Sequence, residues 1–277
     1  MTLLFESLLA CLLLGFTCGL SGSFLILRRQ ALAGDMIGHS VLPGICTAFI
    51  ASQFSLNPLV LLAGAFFGAI AATLLQEYLT RSSKIKPEMA LAINLTGFYA
   101  IGLGLLTWIQ KQPGVQQAHL ESYLLGQAAT LSRTDLFSIL SSAVLCLFLI
   151  VIFFKELRVS VFDPLFAKSS GVSAAKFQFL LSSLVAVSVV VSIKAVGLIL
   201  VSALLIIPAS TASLLSKDLS TRLILASILG ALSASAGAYI SFIKSNIPTG
   251  PAIILVSTFC FITAATFYKL KQDQQST

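Results

Sequence analysis

An aspartate and a histidine stand four residues apart in the run 33–44, which otherwise consists mostly of small and apolar residues. Asp35 and His39 therefore share one face if this run is helical. A carboxylate oxygen and an imidazole nitrogen suit Mn²⁺, Zn²⁺ or Fe²⁺. Two ligands are too few for a metal site, so another helix or a second copy of the chain must complete it. The alternative interpretation is an Asp–His hydrogen bond that joins two helices.

Pro43 follows His39 by four residues, the same spacing as that between Asp35 and His39. Because Pro43 lacks the N–H that would bond the carbonyl of His39, the sequence predicts a helix that is interrupted there, with a freed carbonyl that can face a cavity. Pro208 is a second candidate for such an interruption.

Two further residues are candidates for metal binding. Glu88 stands at the start of an apolar segment, where a carboxylate also favours the helix dipole. His119 falls in a polar connection and is either an ordinary loop residue or a metal relay. The sequence contains no G-x-x-x-x-G-K-[S/T] run, so it lacks that phosphate-binding loop, and no catalytic set of side chains suggests itself.

A short segment between two apolar runs carries helix-boundary residues but is too short to span a membrane. Asp163 suits an N-cap, Pro164 the first helical position and Gly171 the helix end. About two turns of helix are predicted, with Leu165 and Phe166 exposed. This helix is suited to docking into a groove on a partner. Alternatively, it lies on its own bundle.

The elements that position these residues are predicted to be membrane spans. Of the 277 residues, 57% are hydrophobic and 10% are charged, whereas an ordinary soluble domain carries about 25% charged residues. The composition therefore predicts an all-α, polytopic transmembrane bundle of eight to nine spans. We expect one transmembrane domain over 1–271, which includes the short helix near 163–171, and a polar tail over 272–277. The candidate spans, of which the second and sixth are short, are 3–27, 36–52, 57–79, 89–110, 134–154, 176–193, 196–216, 221–243 and 251–269.

The basic residues predict the orientation. With the N-terminus outside, thirteen of the 17 Lys and Arg residues fall in inner connections and four in outer ones, which places the C-terminus and the 163–171 helix in the cytoplasm. Asp35 closely follows the charged residues Arg28 and Arg29. This position is too near the membrane surface for a site at the midplane, unless the second helix starts deep within the membrane. Nucleic-acid binding is not predicted, because no basic face is interleaved with aromatic residues.

Taken in order, these motifs resemble the integral-membrane permease of zinc/manganese-type ABC transporters. The resemblance extends from about Leu12 to Tyr268, with one departure: an acidic pair common before the fourth helix is reduced here to Glu88, preceded by Pro87. The stretches that carry it are Leu27–Arg29 with Gly34–Gly44, Tyr123–Gln127, Phe162–Gly171, Val196–Ala209 and Ile247–Ala252.

The resemblance implies an importer of Mn²⁺, Zn²⁺ or Fe²⁺ in a bacterial inner membrane, with no permanently bound cofactor. Two permease subunits, identical or different, would pair around the metal pathway, lined by Asp35 and His39. Cytoplasmic ATPase subunits would dock on the coupling helix over 163–171, so this chain is not itself an enzyme. An extracytoplasmic binding protein would deliver the metal. A secondary transporter with Asp35 as a proton relay and an ABC permease for a metal chelate are the alternatives.

Overall fold

The computed structural model describes residues 2–55, 57–82, 85–112, 133–243 and 247–276. Within these ranges the chain forms eleven helices and no strand. In chain order they are α1 (Thr2–Leu27), α2 (Ala33–Ala51), α3 (Pro58–Ser82), α4 (Pro87–Gln110), α5 (Arg133–Ile152), α6 (Phe154–Phe162), α7 (Pro164–Ser169), α8 (Ala174–Val196), α9 (Leu198–Leu215), α10 (Leu219–Ile243) and α11 (Thr249–Ser276).

Seven helices in the described ranges are long and apolar enough to cross a membrane, namely α1, α3, α4, α5, α8, α10 and α11. The predicted polytopic helical bundle is confirmed, and the chain is a multi-pass membrane protein. The segment 176–193, predicted to be short, lies within the 23-residue helix α8. The shorter apolar helices are α2, with 19 residues, and α9, with 18.

The predicted interruptions at the two prolines are wrong, because α2 continues through Pro43 and α9 through Pro208. Around Pro43 the reason is tight packing against α4. A Cβ on Gly102 of α4 would lie 2.9 Å from atoms of both Leu42 and Pro43. Neighbouring helices thus hold the backbone of α2 in helical geometry although one hydrogen bond of the ladder is missing.

α2 and α3 meet backbone against backbone through glycines. A Cβ on Gly68 would lie 3.0 Å from the Cα of Gly44 and would collide with the carbonyl of Ser40, and a Cβ on Gly44 would collide with the carbonyl of Gly64. Small residues allow such close approach in lipid. The contacts fix an antiparallel register in which Gly44 lies level with the turn of α3 between Gly64 and Gly68.

α1 is the central helix and α4 and α11 are peripheral. The apolar stretch of α1 is 72% buried, whereas the stretches of α4 and α11 are only 22% buried. α1 packs closely on α10, where Gly15 lies against Gly230. One side of α4, the neighbour of α2, is therefore left open to lipid or to another subunit.

The short helix predicted from its boundary residues is present as α7. The Asp163 side chain caps it, with Oδ1 accepting a hydrogen bond from the Phe166 backbone N–H at 2.9 Å. Beyond the helix, Gly171 adopts a left-handed φ of 77°. A separate helix that sequence reasoning missed, α6, leads directly into α7. At the other end of the chain, α11 continues through most of the polar segment 272–277.

Candidate metal site

α2 presents its aspartate and its histidine on an otherwise buried helix. Between Ala33 and Cys46, Asp35 and His39 are the two residues that are half-buried, and the others are buried. The apolar face of α2 is used for packing against α3, α4, α8 and α9. The carboxylate and the imidazole, one turn apart, therefore line the open strip of this helix together.

The helix register places this pair at the middle depth of the bundle. Since Gly44 is level with the turn between Gly64 and Gly68, residue 39 lies level with about residue 71 of α3, near the centre of the apolar stretch Leu59–Thr80. By the same register α2 begins level with about residue 77, roughly 7 Å short of the end of α3 at 1.5 Å per residue. α2 thus begins inside the end of α3, and Asp35 lies deeper in the bundle than its closeness to Arg28 and Arg29 suggests.

An aromatic residue of α4 contacts the histidine. The rings of His39 and Tyr99 have centroids 5.0 Å apart and an interplanar angle of 75°, an edge-to-face arrangement. Tyr99 is 45% exposed and lies at the middle of α4. The contact fixes the orientation of the imidazole and adds a phenol to the same strip. Sequence reasoning missed Tyr99; a tyrosine midway along an apolar span was the available signal.

Asp35 lies in the first turn of α2. The positive end of the helix dipole favours a negative charge there. Among the described residues, no hydrogen bond joins the Asp35 carboxylate to the His39 ring.

The other metal candidates are not brought to this strip. Glu88 is exposed in the first turn of α4, eleven residues from Tyr99, which corresponds to about 16 Å along the helix. His119 lies outside the described residues. Within the described ranges no group of three or more His, Cys, Asp or Glu side chains could hold a metal ion. Of the candidates that the structure describes, Asp35 and His39 are the two that share a strip.

A second exposed surface lies at the end of the bundle that carries α6 and α7. Leu165 is 82% exposed and Phe166 57%, while Ala167 is buried and anchors α7 to the bundle. Beside α7 is a cleft of about 350 Å³, bordered by Phe162, Asp163, Phe166, Arg158, Val159, Lys217, Asp218 and Leu219. Apolar rings flanked by charges of both signs make this surface suitable for a protein partner.

The chain is similar to curated metal-transport proteins. It is 39% identical over 251 residues, 91% of the chain, to the manganese transport system membrane protein MntC of Bacillus subtilis (strain 168), and it spans 58% of the length of that relative. It is also 39% identical over 250 residues to the zinc transport system membrane protein TroC of Treponema pallidum (strain Nichols), covering 90% of this chain and 84% of the relative.

The fold also matches solved structures. PsaBC from Streptococcus pneumoniae, solved in complex with Fab, superposes with a TM-score of 0.81 at 31% identity, covering 95% of this chain and 91% of the other. An inward-facing putative metal-chelate type ABC transporter gives a TM-score of 0.71 at 20% identity, a similarity of fold alone. A model of the ABC 3 transport family matches residues 1–268. With nearly the whole chain matched, the protein belongs to the ABC 3 transport family.

Proposed function

We propose that this chain is the permease subunit of an ATP-driven importer of Mn²⁺ or Zn²⁺. The observation that carries the proposal is the strip of α2 on which Asp35 and His39 lie one turn apart at mid-depth, half-buried among buried neighbours. The names of the related manganese and zinc systems support these two metals. Iron, which the sequence also allowed, is named by none of these relatives and is left out of the proposal.

A second permease subunit completes the metal site. Each chain supplies one carboxylate and one imidazole, so a pair of chains supplies four ligands, enough for a tetrahedral Zn²⁺ or, with water, for Mn²⁺. The open side of α4, next to Tyr99, is where a second chain brings its own α2 within reach. A site formed between subunits binds the ion in one arrangement and releases it when the subunits move apart.

The remaining parts of the machine are separate proteins. ATP hydrolysis takes place in cytoplasmic ATPase subunits that dock on α7 through Leu165 and Phe166. An extracytoplasmic binding protein delivers the ion to the opposite end of the bundle. The permease itself is catalytically inactive and holds the ion only in transit.

Uptake into proteoliposomes tests this function. The permease, reconstituted with its ATPase subunit and supplied with metal-loaded binding protein, is expected to accumulate radioactive Mn²⁺ or Zn²⁺ only when ATP is present. Uptake that follows a proton gradient without ATP would instead identify a secondary transporter. Transport of a chelated metal in preference to the free ion would favour the metal-chelate alternative.

The proposed orientation in the inner membrane has the N-terminus outside and the C-terminus in the cytoplasm. Thirteen basic residues then lie on the cytoplasmic side, in accord with the charge bias of membrane proteins. α7 lies on this side, where an ATPase can reach it.

Cysteine labelling checks the orientation. Single cysteines replace Gln116, Ser169 or Gln274 in a background without the five native cysteines. A membrane-impermeant reagent is expected to label intact cells at position 116 only, and all three positions after lysis. Labelling at position 169 from outside would reverse the topology and remove α7 from the cytoplasm.

A further inference from the structure

The link between α1 and α2 has a fixed shape. At the end of α1 the backbone N–H of Gln30 donates to the carbonyl of Leu25 at 2.9 Å, and that of Arg29 donates to Ile26 at 3.1 Å. These two bonds, with Arg29 at a left-handed φ of 54°, form a Schellman motif. The motif sets the direction in which the backbone leaves α1 after Arg28.

Arg28 ties this link to α8. Its Nη1 donates to the backbone carbonyl of Gln178 and to the Ser182 hydroxyl, both at 3.3 Å. Burial lowers the pKa of Arg28 to about 10, and the negative charge of Glu77 on α3 opposes this shift. The guanidinium therefore stays charged at neutral pH and joins the link to α8.

A cavity of about 310 Å³ adjoins the guanidinium. It is bordered by residues of α3, α4, α6 and α8 as well as by the link. Gln76 of α3 is only 7% exposed, and its Nε2 donates to the carbonyl of Pro87 at 3.2 Å, while its Oε1 has no hydrogen-bond partner. This junction is polar and loosely filled, so it can rearrange without breaking a close-packed apolar core.

The junction lies between the proposed ATPase-docking helix and the proposed metal helix. Val161, in the last turn of α6 before α7, borders the cavity. α8 begins five residues after α7 ends, and α2 begins five residues after Arg28. α8 also packs against both α2 and α3. A displacement of α7 therefore reaches the start of α2 by a short route through α8 and the Arg28 side chain.

We propose that Arg28 is a positioning residue that transmits movement of α7 and α8 to α2, and so to Asp35 and His39. This inference rests on the proposed function, in which ATP hydrolysis at α7 opens and closes the metal site. Without the guanidinium, the ATPase still docks and hydrolyses ATP, but α2 no longer moves together with α7 and α8.

Coupling measurements on the reconstituted complex test this role. In Arg28→Ala, the number of ions transported per ATP hydrolysed is expected to fall about tenfold, within the usual range for coupling between sites. ATP hydrolysis and assembly with the ATPase remain close to wild type. Arg28→Lys keeps the charge and restores part of the ratio. The matched control is Arg29→Asn, which removes the neighbouring exposed charge and suits the left-handed backbone; its ratio is expected to be unchanged.

A milder variant and a second readout keep the test decisive. Ser182→Ala removes only one acceptor on α8 and is expected to lower the ratio in the same direction. If Arg28→Ala fails to assemble and Ser182→Ala keeps the wild-type ratio, Arg28 is merely structural. Thiol labelling of Asp35→Cys in a cysteine-free background should change with ATP, and Arg28→Ala should abolish that change. If the ATP-dependent change in labelling persists in Arg28→Ala, the role of Arg28 is overturned. Failure of the wild-type complex to transport either metal is a separate result, which would overturn the proposed function.

Discussion

Uptake of Mn²⁺ or Zn²⁺ is expected to fall by at least about 100-fold in Asp35→Ala and in His39→Ala, because each change removes a direct ligand, and loss of outer-shell groups alone costs 10–100-fold. In a two-subunit site one substitution removes two of the four ligands at once. The protein should still insert and assemble, because both side chains are only half-buried and neither belongs to the close-packed core. Initial rates of ATP-dependent uptake in proteoliposomes measure the effect.

Two variants sharpen the assignment of these ligands. Asp35→Asn keeps the shape of the side chain but removes its charge, and we expect it to be nearly as inactive as the alanine variant. Thr47→Ala is the matched control on the same helix, since Thr47 is exposed and its hydroxyl bonds the carbonyl of Gly44 in its own helix. Wild-type uptake in both Asp35→Ala and His39→Ala would show that the pathway lies elsewhere.

Loss of the ATPase from the purified complex is the second large effect we expect, in Phe166→Asp and in Gly171→Val. A carboxylate in place of the exposed Phe166 ring opposes its burial against a partner. Valine at Gly171 is incompatible with a φ of 77° and so redirects the chain after α7, although nothing lies within 4 Å of an added Cβ. Co-purification with a tagged ATPase measures the loss.

Controls on the same segment separate docking from folding. Ser169→Asp adds the same charge to an exposed polar position of α7, and Gly171→Asn tolerates a left-handed backbone. Both should retain the ATPase. If Phe166→Asp and Gly171→Val keep a bound, fully coupled ATPase, α7 is not the docking element.

Features set by neighbours in sequence were predictable. The boundaries of α7 follow from Asp163, Pro164 and Gly171, whose roles depend on the local backbone. Asp35 and His39 share a face because they are one helical turn apart. Their proposed role as metal ligands stays a prediction, and it is the uptake of the alanine variants that decides it.

Features set by contacts between distant segments were not predictable. The ring of Tyr99 meets that of His39 across sixty residues of sequence. The helix around Pro43 is continuous because Gly102 of α4 packs against it, which overrides the local effect of proline. The depth of Asp35 depends on how far α2 slides along α3, a register set by glycine contacts that a one-dimensional pattern does not contain.

The glycine contacts between α2 and α3 also restrict how the transporter can move. Helices whose backbones touch at Gly44, Gly64 and Gly68 have no side chains between them that could change rotamer to allow sliding or separation. We therefore expect α2 and α3 to travel as one rigid body, with Asp35 and His39 fixed to its surface. The hinges of the transport cycle then belong to looser joints of this hairpin with its neighbours, above all the polar junction around Arg28.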